Sequence, residues 1–349
     1  MTHSNPRAAL IVNARSRKGR AQFRHACTLL RAAGVDLAEA YAVRKPEQLP
    51  DRVRAAVARG IGLVIVGGGD GTMSSAVDLL VGHETRLGVL PLGTANSFAR
   101  TLGLPLDLPG AVDVIASGVP RAIDLGMIDG DYFANCATLG IAPQIAETVP
   151  HGLKAWLGRP GYLLWAARQL ARYQPFRVTI GEETVDAVEV RIANGRFHGG
   201  VDLVEEAALD SGRIVVQAVI GQSRAGLIAS WAASVLRLPQ RDRLVRSFEG
   251  TSLRIATPEP MPISIDGEVL AHTPVTARVA RAAIRVMAPR DGAAVAHGPV
   301  PPPSRRRMAG AGGLLLAAGL GYALWRRRRR DQDAAAGTAM RARRQPPKR

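Results

Sequence analysis

The chain has 349 residues, and 47% of them are apolar, which argues for a folded protein of two domains and against a disordered one. Its two cysteines, Cys27 and Cys136, are too few for a disulfide framework and match no metal-ligand spacing. The formal net charge is +17, but residues 305–349 hold 13 Lys/Arg and 2 Asp and account for +11 of it. The remainder is only mildly basic, so we do not expect nucleic acid as a partner.

Strand and helix patterns alternate through residues 1–123. Runs of apolar residues predict strands at 8–13, 35–43, 61–66 and 87–91, and helical spacing follows them at 23–30, 49–58, 72–80 and 97–102. This alternation is typical of parallel strands joined by right-handed crossovers. We therefore predict a Rossmann-like α/β domain with a mostly parallel sheet over residues 1–123.

A glycine-rich turn joins the third predicted strand to its helix and consists of Gly67, Gly68, Gly69, Asp70, Gly71 and Thr72. Glycines let the backbone approach an anion, and the N–H groups at a helix N-terminus supply donors, so this turn suits phosphate. Asp70 would repel phosphate unless a metal ion lay between them. The turn predicts a nucleotide–Mg²⁺ site, with a plain packing turn as the alternative.

A second turn of this kind follows the fourth predicted strand and contains Gly93, Thr94 and Asn96. Asn13 ends the first predicted strand. Ligands of open parallel sheets bind at the carboxyl ends of the strands, so all three places belong to one edge. Two phosphate-type turns at one edge are less expected by chance than a single one.

Short, glycine-punctuated strands dominate the sequence after residue 123. Apolar and alternating patterns predict them at 132–137, 176–180, 188–193, 214–220, 253–256, 263–265, 277–279 and 283–286. Two helical patterns interrupt them, at 161–172 and 224–236. We predict a second, antiparallel β-sandwich domain over residues 124–290.

The order of these motifs resembles the diacylglycerol kinase catalytic-domain family. Residues 68–72 match its GGDGT signature, and residues 91–100 are similar to its second motif, LPLGTxNDFAR. Later blocks follow in the family's order, at 123–126, 194–200, 209–213 and 265–268. The resemblance covers residues 6–290 and is greatest to the bacterial soluble-type lipid kinases, which include diacylglycerol and phosphatidylglycerol kinases.

The resemblance implies an ATP-dependent kinase that phosphorylates a hydroxyl group of a lipid in a cleft between the two domains. It implies that ATP contacts Asn13, residues 67–72, Gly93, Thr94 and Asn96. It implies that Asp70 faces the catalytic Mg²⁺ and that Glu268 is the general base. Phosphoryl transfer does need a proton acceptor and a metal that neutralises phosphate charge. An ordinary Asp-Gly hairpin turn is the alternative for the segment around Glu268.

Two serines depart from the family's pattern. Ser97 replaces a frequent Asp, and Ser211 replaces an Asp that helps several relatives to hold a structural Mg²⁺. The remaining ligands implied for that ion are the main-chain carbonyls of Ala208 and Arg213, with Asp210 as a substitute carboxylate. Serine is a poorer ligand than a carboxylate for a hard cation. These departures support the alternative that the protein binds lipid or nucleotide and is catalytically weak. A NAD kinase-like enzyme is a further alternative, against which residues 91–100 argue.

The C-terminal segment, residues 291–349, combines a Pro/Ala-rich linker, an uncharged apolar stretch at 308–325 and a basic tail. Eighteen helical residues span about 27 Å, which is barely the thickness of the hydrocarbon core of a bilayer. A membrane span would also carry the arginines at 326–330 out of the cytosol, which the positive-inside rule disfavours. We therefore expect a cytoplasmic protein that binds peripherally to the anionic inner face of the membrane, with a single C-terminal span as the disfavoured alternative. The question of a homodimer stays open.

Overall fold

The computed structural model describes residues 6–14, 17–45, 47–148, 165, 168–170, 173–221 and 245–290. The described residues of 6–148 and 174–290 belong to one compact unit, which contains all the elements below. The predicted helix at 224–236 and residues 291–349 lie outside the described residues. Of the predicted helix at 161–172, the described residues 165 and 168–170 are helical.

The first half of the unit alternates strands and helices before it becomes rich in strands. Its elements are β1 (Ala8–Asn13), α1 (Arg17–Ala32), β2 (Leu37–Val43), α2 (Gln48–Ala58), β3 (Leu63–Gly68), α3 (Asp70–Val77), a 3-10 turn (Asp78–Leu80), β4 (Arg86–Pro91), α4 (Ser97–Thr101), α5 (Leu108–Ser117), β5 (Val119–Ile128), β6 (Asp131–Phe133), β7 (Cys136–Gly140) and α6 (Ile141–Thr148).

The second half consists of strands. They are β8 (Phe176–Ile180), β9 (Glu183–Ala193), β10 (Phe197–His198), β11 (Val201–Asp202), β12 (Ile214–Ile220), β13 (Val245–Gly250), β14 (Ser252–Ala256), β15 (Pro262–Ile265), β16 (Glu268–His272) and β17 (Val275–Ala288).

The predicted parallel sheet is confirmed, in the strand order β4-β3-β1-β2. Residues 8–12 of β1 are all buried, because helices cover both faces of the sheet. Leu10 packs in a cluster with Leu30 of α1, whereas Ile11 packs in another with Val53 of α2. Parallel pairing brings the carboxyl ends of these strands to one edge.

The strand-rich half is antiparallel, as predicted. Its strands follow the order β16-β15-β7-β9-β8-β14-β17, and β12 lies between β9 and β13. One face of these strands forms a separate apolar core that includes Leu139, Ile192, Val216 and Ile263. The opposite face carries Thr138 and Arg191, which pair across β7 and β9.

The last strand joins the two halves. β17 pairs antiparallel with β14 and β5, and it pairs parallel with β4 through residues 285 and 286. The predicted strands at 277–279 and 283–286 are one continuous strand, with a register shift between Ala280 and Ile284. Ala282 within the shift has a left-handed φ of 48°. The predicted strand at 132–137 is in fact two, β6 and β7, and β5 runs across residue 123.

Across the part of the chain that the structure describes, no helix has the length and apolar character needed to cross a bilayer.

Candidate active site

The two glycine-rich turns lie side by side at the carboxyl edge of the parallel sheet. β3 and β4 pair with Gly68 opposite Pro91, and the Leu92 N–H donates to the Gly68 carbonyl oxygen at 2.9 Å. A Cβ atom placed on Gly93 would lie 2.4 Å from the Gly69 Cα, so even a methyl group there would force the backbone to shift. The structure therefore brings residues 67–72 and 93–96 into direct backbone contact.

Asn96 shapes the second turn from within. Its backbone is left-handed, with a φ of 50°, and its side chain bonds back to Gly93. The Asn96 Oδ1 accepts from the Gly93 N–H at 2.9 Å, and its Nδ2 donates to the Gly93 carbonyl at 3.1 Å. Thr94 is exposed at the tip of the turn. Asn96 thus orders the turn from within, and Gly93 and Thr94 are the exposed residues of the turn.

Asp70 opens helix α3 and reaches the helix that follows the other turn. Its Oδ1 accepts a hydrogen bond from the Phe98 N–H at 3.1 Å. Gly71, the next residue, is exposed, and a Cβ atom placed there would meet nothing within 4 Å. The start of α3 therefore presents a carboxylate and open backbone, next to the N–H groups that every helix N-terminus leaves unpaired.

Asn13 lies at the same edge, as predicted from its place at the end of β1. Its Nδ2 donates to the Thr72 Oγ1 at 3.3 Å. This contact ties β1 to the first turn of α3. The structure therefore gathers Asn13, Asp70, Thr72 and Gly93 at one edge of the sheet.

The turn between β15 and β16 reaches the same helix from the strand-rich half. Its Asp266 has a left-handed φ of 45° and accepts long hydrogen bonds from the N–H groups of Ala134 (3.4 Å) and Cys136 (3.5 Å). The Ser74 hydroxyl of α3 also bonds to it. Burial raises the pKa of Asp266 to about 6, the hydrogen bonds oppose this, and the charge of Asp70 adds to it.

Glu268, the predicted general base, is two residues further on and exposed at the start of β16. The carboxylate that contacts α3 is that of Asp266, which sequence reasoning did not include in the site. In the sequence, Asp266 and Glu268 form a pair of carboxylates in one tight turn. This pattern indicates a candidate site, but it does not show which of the two carboxylates faces α3.

His198 lies within electrostatic range of Asp70 and of a buried ion pair. The Arg191 Nη2 is 3.0 Å from the Glu189 Oε2, and their side chains are 2% and 11% exposed. Burial lowers the pKa of His198, while Glu189 and Asp70 raise it and Arg191 lowers it further. Burial, the largest of these effects, therefore favours the neutral form of His198. The tertiary fold brings His198 near Asp70, and no sequence motif signals this proximity.

Ser97 connects α4 to the β10–β11 hairpin. Its Oγ accepts a hydrogen bond from the Gly200 N–H at 3.0 Å, and Ser97 itself is buried. Gly200 has a φ of 81°, which favours glycine. The serine that departs from the family's pattern therefore holds the hairpin with His198 against the second glycine-rich turn.

The residues implied for a structural metal have other partners. Asp210 forms an ion pair with Arg121. The Ser211 Oγ bonds to the carbonyl oxygens of Ala208 at 2.9 Å and Arg213 at 3.2 Å. These residues do not fit a structural Mg²⁺ as they stand. Within the described residues, moreover, no three His, Cys, Asp or Glu side chains cluster so as to hold a metal ion.

Comparison with known proteins agrees with this geometry. The family model for the diacylglycerol kinase catalytic domain matches residues 7–128, and the YegS C-terminal NAD kinase beta sandwich-like domain matches residues 137–288. A probable lipid kinase YegS-like from Klebsiella pneumoniae is 32% identical over 297 residues, which cover 82% of this chain and 97% of that protein. Another from Chromohalobacter salexigens is 32% identical over 300 residues, which cover 82% and 95%.

A solved structure shares the fold. The crystal structure of a diacylglycerol kinase from Bacillus anthracis superposes with a TM-score of 0.65 at 23% identity, and the match covers 82% of this chain and 98% of that one. The fold and the paired glycine-rich turns define an enzyme of the diacylglycerol kinase catalytic-domain class. Within that class, the chain belongs to the YegS-like family of probable lipid kinases.

Proposed function

We propose that the protein transfers the γ-phosphate of ATP to a hydroxyl group of a diacylglycerol-like lipid at the cytosolic face of the membrane. The observation that supports this best is the convergence of three segments on the start of α3. They are the turn with Asp70, the turn with Gly93, and the β15–β16 turn with Asp266 and Glu268. The first two suit phosphate groups, and the third supplies carboxylates for the acceptor.

ATP would place its phosphates against the two glycine-rich turns. The open space at Gly71 and the unpaired N–H groups of α3 suit an anion, and the helix dipole favours negative charge there. Asn13 and Thr72 would border the phosphates, since their side chains lie together at this edge.

Mg²⁺ fits at Asp70. Phe98 engages one carboxylate oxygen, and a carboxylate has acceptor capacity on both oxygens. Mg²⁺ commonly binds through one or two carboxylates, with substrate phosphates and water as its other ligands, so a cluster of protein ligands is not required. When bound, the ion would neutralise charge on the phosphates.

Glu268 would accept the proton of the lipid hydroxyl. It is exposed on the edge strand β16, where a substrate can approach it, and exposed Leu270 (51%) follows two residues later on the same strand. An apolar side chain beside the base suits an acceptor that carries acyl chains. Asp266 would position this turn against α3 through Ser74.

Incubation with γ-labelled ATP, Mg²⁺ and a panel of lipid vesicles tests the proposal, because it reports activity and substrate together. We expect labelled lipid from the wild type and little from Asp70→Asn or Glu268→Gln. The matched controls are Asp129→Asn and Glu182→Gln, which change exposed carboxylates in other turns.

No labelled lipid in any vesicle would contradict the proposal, as would full activity in both site variants. Nucleotide binding without turnover would favour the alternative of a catalytically weak binding protein, and turnover of soluble NAD would favour the NAD kinase-like alternative.

A carbonate wash of membranes tests the mode of membrane association. Release of the protein by the wash would support peripheral binding, whereas retention would indicate a span.

A further inference from the structure

The loop of residues 208–213 precedes β12 and contains Ser211, where the family resemblance implies a metal-binding aspartate. Its Ser211 hydroxyl lies between two carbonyl groups. The Oγ donates toward the Ala208 oxygen at 2.9 Å and the Arg213 oxygen at 3.2 Å, and it accepts from the Arg213 N–H at 3.2 Å. The side chain thus connects both ends of the loop.

The Ala208 carbonyl has no acceptor site left for a cation. It accepts the Ser211 N–H at 3.2 Å in addition to the Ser211 hydroxyl, and a carbonyl oxygen has two lone pairs. A hard cation would have to displace one of these hydrogen bonds and gain no carboxylate ligand from position 211 in exchange.

The charges around the loop also oppose a divalent cation. Asp210, the carboxylate of this loop, is engaged by the Arg121 guanidinium. The Arg281 guanidinium lies against Gly212, with its Nε 3.1 Å from the position that a Cβ atom would take. These two guanidinium groups offset the carboxylates of Asp210 and Asp124 at the loop, which therefore has no net negative charge to attract a divalent cation.

Asp124 anchors the loop from the protein interior. Its Oδ2 accepts from the Gly212 N–H at 2.7 Å, and its Oδ1 accepts from the Ala282 N–H at 2.8 Å. Its own N–H donates to the Leu209 carbonyl at 2.6 Å. These bonds fix the loop to β5 and β17 through protein groups alone.

We propose that this loop is closed by the Ser211 hydroxyl in place of a divalent cation, and that the side chain at position 211 decides whether the loop binds one. The contribution of this loop to the stability of the fold is then independent of Mg²⁺, and a carboxylate at position 211 creates a site with the Ala208 and Arg213 carbonyls. This inference concerns the loop and holds whichever substrate the enzyme uses.

Thermal unfolding without nucleotide tests the inference, in Mg²⁺ and in EDTA. The full chain carries Asp70→Asn throughout, so that Asp70 contributes no response. We expect the same Tm in both conditions for this parent. Addition of Ser211→Asp should lower the Tm in EDTA, because the new carboxylate faces carbonyl oxygens, and Mg²⁺ should restore several degrees. The matched control adds Ser252→Asp at an exposed position and should not respond to Mg²⁺.

Two results would overturn the inference. The first is a rise of the parent's Tm in Mg²⁺ that Ser211→Ala abolishes, because the wild-type loop would then bind the ion. The second is a folded Ser211→Asp variant that does not respond to Mg²⁺. If that variant fails to fold, Ser211→Ala tests the inference instead. We expect this substitution to lower the Tm by the same amount in Mg²⁺ and in EDTA, and an unequal decrease would contradict the inference.

Discussion

The carboxylate of Asp70 accepts a hydrogen bond from the backbone N–H of Phe98, so an acid of the first glycine-rich turn caps the helix that follows the second. Asn96 holds the N-cap position of that helix but directs its side chain back to Gly93. Asp70 therefore combines two tasks: it holds the two turns together, and in the proposed mechanism it carries the charge that binds Mg²⁺.

Replacing Asp70 by two different residues should separate these tasks. Asp70→Asn keeps an oxygen that can accept from Phe98, so we expect a stable fold and a loss of turnover of about 10³-fold, because the charge is gone. Asp70→Ala should lose the cap as well and cost about 1 kcal/mol of unfolding free energy. Urea unfolding with kinase assays measures both. Equal stability of the two variants would contradict the capping role.

The contact between the glycine-rich turns predicts opposite effects for two glycine substitutions. Gly93→Ala should lower the unfolding free energy by about 1–3 kcal/mol, because its methyl group collides with the Gly69 backbone. Gly71→Ala has space, so stability should hold or rise by about 0.5–1 kcal/mol while the KM for ATP increases. Denaturant titration and ATP-dependent kinetics test this pair. An unchanged KM in Gly71→Ala would place the phosphates elsewhere.

The raised pKa of Asp266 predicts how stability depends on pH. Its pKa is about 6 in the folded protein against an ordinary value of 3.8, so the folded state holds the proton more tightly. The contribution of Asp266 to stability therefore falls as the pH rises from about 4 to about 6. Between pH 4 and pH 7, the unfolding free energy of Asp266→Asn should gain about 2 kcal/mol relative to wild type.

Urea unfolding at the two pH values measures this relative change. Asp129→Asn makes the same substitution at an exposed carboxylate in another turn and is the control. A constant difference from wild type for Asp266→Asn would show that the Asp266 carboxylate is not held in the protonated form by burial.

Leu270 should matter for lipid in vesicles and not for lipid in solution. Its exposed side chain follows Glu268 on β16, and burial of a leucine contributes about 1.5–3 kcal/mol. Leu270→Ser should therefore reduce activity on vesicles about tenfold and leave activity on a short-chain soluble diacylglycerol nearly unchanged. Leu106→Ser, at another exposed leucine, is the control. An equal loss on both substrates would argue for a structural role.

The parallel sheet was predictable because its strands are buried on both faces. β1, β3 and β4 are continuous apolar runs, and the turns after β3 and β4 carry glycines at the carboxyl ends. Local sequence determines these features, so the edge that gathers the phosphate-type turns could be inferred without coordinates.

Contacts between distant segments could not be predicted in this way. The bond of Asp266 to Ser74 joins residues almost 200 positions apart, and no periodicity signals it. The sequence pattern predicts two strands in place of β17, because it breaks at Ala282, where Asp124 holds the bulge. The sequence shows Ser211 as a departure from the family's pattern, but only the structure shows that its hydroxyl bridges two carbonyls.

The position of β17 has a consequence for the order in which the protein can fold on the ribosome. β4 is made early, yet the strand that covers its outer edge, β17, ends only at Ala288. The outer edge of β4 in the parallel sheet is therefore uncovered until nearly all of the strand-rich half has been synthesised. Exposed strand edges invite pairing with other chains, so we expect nascent copies of this protein to be most prone to aggregation during that interval.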